Sequence, residues 1–155
     1  MNDPAVEFKD LLDSNYNASN TVLSDKPAIT TGWYNKGSDA PLVTVTEANE
    51  SEATGSNTGW TYIKGDGSGP DQATVGLILI NIWCNDNQTA LNPKEVVNSV
   101  KDEIERVILG NYEATQYESI GVNSTTKLVE DDQSPVMHRC EIETIYNYTK
   151  RDLIT

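Results

Sequence analysis

The densest apolar run in the chain, Val75 to Trp83 (VGLILINIW), does not alternate. Leu77 and Leu79 fall on one parity and Ile78, Ile80 and Ile82 on the other, with Gly76 and Asn81 as the interruptions. Successive side chains of a strand point to opposite faces, so a half-buried strand shows a polar residue at every second position. This run therefore predicts an interior strand with two apolar faces. Beyond it, Asn92-Pro93-Lys94-Glu95 carries a helix start, with Asn as the cap, Pro at the first helical position and Glu two residues on. Val96, Val97, Val100, Ile104, Val107 and Ile108 then recur at helical spacing, with Lys101, Asp102, Glu105 and Arg106 facing out. The predicted helix runs from Pro93 to Leu109 and stops at Gly110-Asn111.

The other segments are shorter. Asp3-Pro4 opens a first helix whose face is Ala5, Phe8, Leu11 and Leu12. Candidate strands cover Ala28–Tyr34, Pro41–Glu47, Trp60–Lys64, Thr125–Glu130 and Val136–Tyr148, the last pair joined by the hairpin loop Asp131–Pro135. In the final strand His138, Cys140, Ile142, Thr144, Tyr146 and Tyr148 share one parity, and Met137, Arg139, Glu141, Glu143, Ile145 and Asn147 the other. Polar loops are expected at about 47–59 and 64–72. The sum is one domain over residues 1–155 of α+β class: a mixed, mainly antiparallel sheet, an amphipathic helix packed on it and a short N-terminal helix. The second apolar face of the central strand needs a cover too. The first helix, a hairpin from residues 41–64 or another subunit could provide it.

Charge removes whole classes of function. Twenty-four acidic residues against eleven basic ones leave a net charge of −13, and no basic run occurs. Binding to nucleic acid through counterion release needs clustered Lys and Arg, so duplex DNA is not an expected ligand. The acidity fits a salt-adapted source or a surface that must not adhere to polyanions. The first residues hold neither a basic nor an apolar segment of an export signal, and no run is long enough to cross a membrane. Cys84 and Cys140 are therefore expected to be reduced.

No catalytic constellation emerges. His138 and Cys140 share a strand face, but a nucleophile sits at the end of an element with a third group to orient it, and packing in the sheet explains the pair. Gly65-Asp66-Gly67-Ser68-Gly69 has the glycines of a phosphate loop without its Lys-Ser/Thr ending or following helix. Asp66, Ser68 and Asp71 lack the twelve-residue ligand spacing of a calcium loop. The expectation is a protein without catalytic residues, cofactor or metal. Trp33, Trp60 and Trp83 each end a strand-like segment, which suits edge-of-core packing or anchors in a subunit interface.

The order of these elements resembles that of tail terminator (tail-completion) proteins of tailed viruses. The resemblance rests on a short helix and a Pro-Ile-type strand (DPAVEFKDLLD, KPAITTGWY), then an aliphatic strand, Trp and amphipathic helix (GLILINIWCNDNQTALNPKEVVNSVKDEIERVIL). A strand, acidic turn and Tyr-rich strand close it (TTKLVEDDQSPVMHRCEIETIYNYTKR). The long polar loop and the Gly-rich loop depart from that pattern. The resemblance implies a homo-hexameric ring in the virion neck that contacts the tail tube protein and a neck or connector protein. Genomic DNA would pass through its lumen without specific binding, no membrane would be involved, and a haloarchaeal host would suit the acidity. Another neck or head-completion adaptor, and a monomeric ligand-binding module, are the alternatives from other classes.

Overall fold

The computed structural model describes residues 2–33, 41–52, 62–64, 70–85, 91–113, 115–130 and 136–149. Two helices, α1 (Pro4–Asn15) and α2 (Pro93–Gly110), lie on one face of a mixed sheet. Its strands are β1 (Ala28–Thr31), β2 (Leu42–Glu52), β3 (Tyr62–Lys64), β4 (Pro70–Asn85), β5 (Ser119–Glu130) and β6 (Met137–Thr149). The order across the sheet is β1-β2-β4-β6-β5, with β3 paired to the outer end of β4. β1 runs parallel to β2 and the other pairs are antiparallel. The α+β class and the mixed sheet are as the sequence predicts.

The helices begin where their caps require. The Asp3 carboxylate accepts from the Ala5 and Val6 N–H groups at 2.9 and 3.2 Å, and the Asn92 side chain accepts from Lys94 N–H at 3.0 Å. Each cap precedes a proline that has no N–H to satisfy. α1 rests on β1 and β2, while α2 crosses β4, β6 and β5. β6 lies between β4 and β5, which run parallel to each other and are linked through α2. The crossover lays the helix across the strands it joins.

β4 is the interior strand its pattern predicts, flanked by β2 and β6. Ile78, Ile80, Ile82 and Cys84 are fully buried beneath the helices with Val43, Val45, Val100, Ile104, Cys140 and Ile142. Gly76 sits on this face because the Tyr146 ring lies directly over it. A Cβ there would fall 2.0 Å from the ring's Cζ. Tyr146 stacks on with Phe8, Tyr117 and Tyr148, and the hydroxyls of Tyr146 and Tyr148 donate to the two Glu50 oxygens at 2.7 and 2.9 Å.

Three expectations need correction. Strand β1 ends at Thr31, not Tyr34, because Gly32 adopts φ +100 and its N–H closes on Val45 O at 3.0 Å. The polar loop placed at 47–59 is strand as far as Glu52: main-chain pairing with β4 continues past a bulge between Glu47 and Asn49. Paired backbone needs no apolar side chains, and Glu50 is held by the tyrosines. The loop placed at 64–72 likewise begins and ends in strand, at Lys64 and Pro70–Gln72. Residues 53–59, 65–69 and the 131–135 hairpin loop lie outside the described residues.

Glu103 is a buried carboxylate that joins α2 to the turn after α1. It takes Asn17 N–H at 2.9 Å, Asn20 Nδ2 at 2.8 Å and two Arg106 nitrogens at 2.8 and 2.5 Å. The Arg106 hydrogen bonds, with those from Asn17 and Asn20, outweigh burial and hold its carboxyl at about 2.

Two outcomes follow from this packing. Gly76→Ala should cost about 3 kcal/mol in urea unfolding, because the added methyl must displace the Tyr146 ring; an unchanged midpoint would show that the ring moves freely. A depressed carboxyl pKa stabilises the fold above the unfolded value near 4.5 and loses that contribution as pH falls towards about 2. Glu103→Gln should therefore cost about 2 kcal/mol at pH 7 through loss of charged hydrogen bonds. The gap to the parent should close as pH is lowered through that window in a pH series of chemical denaturation.

Candidate subunit-contact surface

The second parity of β4 points away from both helices. Val75, Leu77 and Leu79 are half-buried there, and Ile145 of β6 lies beside Leu77. Polar residues of β2 border this apolar lane on one side, with Thr46, Asn49 and Ser51 opposite Leu79, Leu77 and Val75. Glu143 and Asn147 of β6 border it on the other. Among the described residues no helix packs on this face.

At one end of the face two of the three predicted tryptophans meet. Trp83 is buried, forms a second small core with Leu42 and Met137, and donates from Nε1 to Thr44 Oγ1 at 2.9 Å. The turn at Gly32, whose carbonyl accepts from Thr46 Oγ1 at 2.7 Å, brings Trp33 edge-on to Trp83, with ring centroids 5.3 Å apart. Trp33 stays 56% exposed while Trp83 is 3% exposed. The structure thus separates two residues the sequence treats alike: Trp83 is an internal anchor and Trp33 a surface aromatic. Trp60 lies outside the described residues.

Arg139 holds this corner together. Its guanidinium lies 5.1 Å from the Trp83 ring centroid and 5.6 Å from that of Trp33. Nε is 3.2 Å from Glu130, Nη1 is 3.6 Å from Glu141, and Nη1 donates to Asn81 Oδ1 at 3.3 Å. Asn81 interrupts the apolar run of β4 in order to meet this cation. Arg over aromatic faces is favourable where water is partly excluded. Nothing in the sequence marks Arg139 and Asn81 for this role; the register of β4 with β6, which places Trp83 directly opposite Arg139, brings them together.

The titratable groups beneath the helices are tuned towards inertness. Burial pushes the Cys140 thiol up to about 11, so it stays protonated and is a poor nucleophile. Both cysteines are buried thiols outside any disulfide. Burial first, and then the hydrogen bond to the Glu50 carboxylate, raises the Tyr146 hydroxyl well above the phenol range and Tyr148 to about 12. Among the described residues no three His, Cys, Asp or Glu side chains converge as a metal site, and no helix is long and apolar enough to cross a membrane.

No known family model and no curated protein matches the chain.

Arg139→Ala should release Trp33 from Trp83 and leave Glu130 and Glu141 facing each other without a cation. The expected result is a red-shifted tryptophan emission and a loss of about 1–2 kcal/mol, the scale of a partly buried cation–π pair with its hydrogen bonds. Emission and midpoint both unchanged would remove Arg139 from this role.

Proposed function

We propose that the chain is a non-catalytic structural subunit, a tail terminator that works as a homo-hexameric ring at the head–tail neck of a tailed virus. The observation that carries the reading is a sheet face on which, among the described residues, no helix packs: an interior strand presents half-buried Val75, Leu77 and Leu79, with Ile145 beside them, away from both helices. Apolar surface of this kind is covered in proteins that assemble, and Trp33 at its end is of the residue type that anchors interfaces. The element order quoted above supports the terminator role, in which the partners are the tail tube protein and a neck or connector protein. The charge of −13 suits a lumen through which genomic DNA passes without adhering, since a surface poor in cations releases no counterions on contact.

Light scattering coupled to size exclusion tests this directly. The parent chain should have the mass of a hexamer, and Leu79→Lys, which puts a charge in the lane, should run as a monomer. The Leu79→Lys subunit should keep nearly the parent's melting behaviour, because Leu79 is only half-buried and the long lysine stem can carry its charge to water. A parent chain that is monomeric at all concentrations, or a Leu79→Lys ring of unchanged mass, would overturn the reading.

A further inference from the structure

The net charge conceals two opposed corners. A cleft of about 550 Å³ opens between the first turns of α2, at Lys94, Glu95, Val97 and Asn98, and the ends of β5 and β6, at Lys127, Leu128, Val129, His138 and Arg139, so that one carboxylate stands among its cations. Lys127 Nζ donates to Asn98 Oδ1 at 2.8 Å across it. Among the described residues Lys9, Lys26, Lys101, Arg106 and Arg139 each have a carboxylate within 4 Å, whereas Lys94 and Lys127 have none. Val129 adds apolar floor and is 53% exposed.

The opposite corner is its inverse. Asp3 and Glu7 from the start of α1 gather with Glu47 and Glu50 from the distal half of β2. No described cation lies within ion-pair distance of any of the four. A chain of contacts joins them: Gln116 N–H donates to Glu7 at 3.3 Å, the neighbouring Tyr117 ring lies 4.4 Å from that of Tyr146, and the Tyr146 hydroxyl donates to Glu50 at 2.7 Å; burial, then repulsion from Glu50 and Asp3, raises the Glu47 carboxyl. Val6, between the two acidic residues of α1, is exposed. β6 runs from His138 at the cleft to Tyr146 and Tyr148 at the carboxylates, roughly 30 Å at about 3.3 Å per residue. A subunit cannot bring its own corner into its own cleft across that distance.

We propose that a second copy of the chain docks its carboxylate corner, Asp3, Glu7, Glu47 and Glu50, against the cleft of Lys94 and Lys127, so that successive copies join head to tail. This rests on the ring reading. A ring needs two different complementary patches on each subunit, and the two corners provide them, with Val6 facing Val97 and Val129. Opposed charges would also set orientation among copies that otherwise repel.

A charge swap tests the pairing by analytical ultracentrifugation. Lys94→Glu with Lys127→Glu, and separately Glu7→Lys with Glu47→Lys, should each weaken self-association at least tenfold at low ionic strength. The chain carrying all four reversals should regain it, because the corners are complementary again with signs exchanged. All positions are at the surface or half-buried, and thermal melts of each variant verify the fold. The regain in the fourfold variant itself reports folded subunits. Neutralising Asp131 and Asp132, the next acidic residues after β5, should leave association unchanged. Rings that survive both double reversals, a fourfold variant no better than either, or rings lost on neutralising Asp131 and Asp132 would each overturn the pairing and leave the ring standing. A parent chain that never assembles removes both.

Discussion

The structure depends on the need to bury β4 on both faces. One side of this strand carries isoleucines and a cysteine that are sealed by the two helices at no residual exposure. At roughly 25 cal/mol per Å² of apolar surface removed from water, this is the main source of the subunit's stability. The chain has 37% hydrophobic residues, and its two amphipathic helices serve one side of the sheet. The other side of β4 is left with aliphatic residues that no described element of the subunit covers. Leu77 and Leu79 are only half-buried there, and we propose that contact with another molecule completes their burial.

The acidic composition is handled by the same geometry. Several carboxylates act as acceptors that join elements rather than as free surface charge. Glu50 receives two tyrosine hydroxyls from β6, and Glu103 ties α2 to the segment after α1 through Arg106, Asn17 and Asn20. Arg139 answers two carboxylates and two indole rings at once. Cations are few, and most described ones are committed to a partner. That is why Lys94 and Lys127, which have no carboxylate within 4 Å among the described residues, stand out beside the cleft.

The elements were legible where local chemistry and periodicity agree. The cap Asn92-Pro93, the valine and isoleucine spacing of α2, and the two parities of β6 led to their observed places. So did the two-sided character of β4. What periodicity could not reach was set by pairing between distant segments. The extension of β2 through Asn49-Glu50-Ser51 has no apolar signature, since ladder hydrogen bonds and two distant tyrosines hold it. The turn at Gly32 looked like continued strand because a glycine's left-handed backbone leaves no mark on hydrophobicity. Glu103 carries no sequence signal of its role, because its partners Asn17 and Asn20 come from a distant segment. Trp33 and Trp83 read alike in the sequence, and the stacking of Arg139 on both rings is what joins them.

We propose that the two faces of β4 are buried in different ways, one within the chain and one between molecules. Hydroxyl-radical footprinting across a dilution series measures this residue by residue. Ile78, Ile80 and Ile82 should be protected at every concentration. Leu77, Leu79, Ile145 and Trp33 should be labelled in dilute protein and become protected as molecules associate. Labelling of this second group that is independent of concentration, whether protected throughout or exposed throughout, would contradict the account.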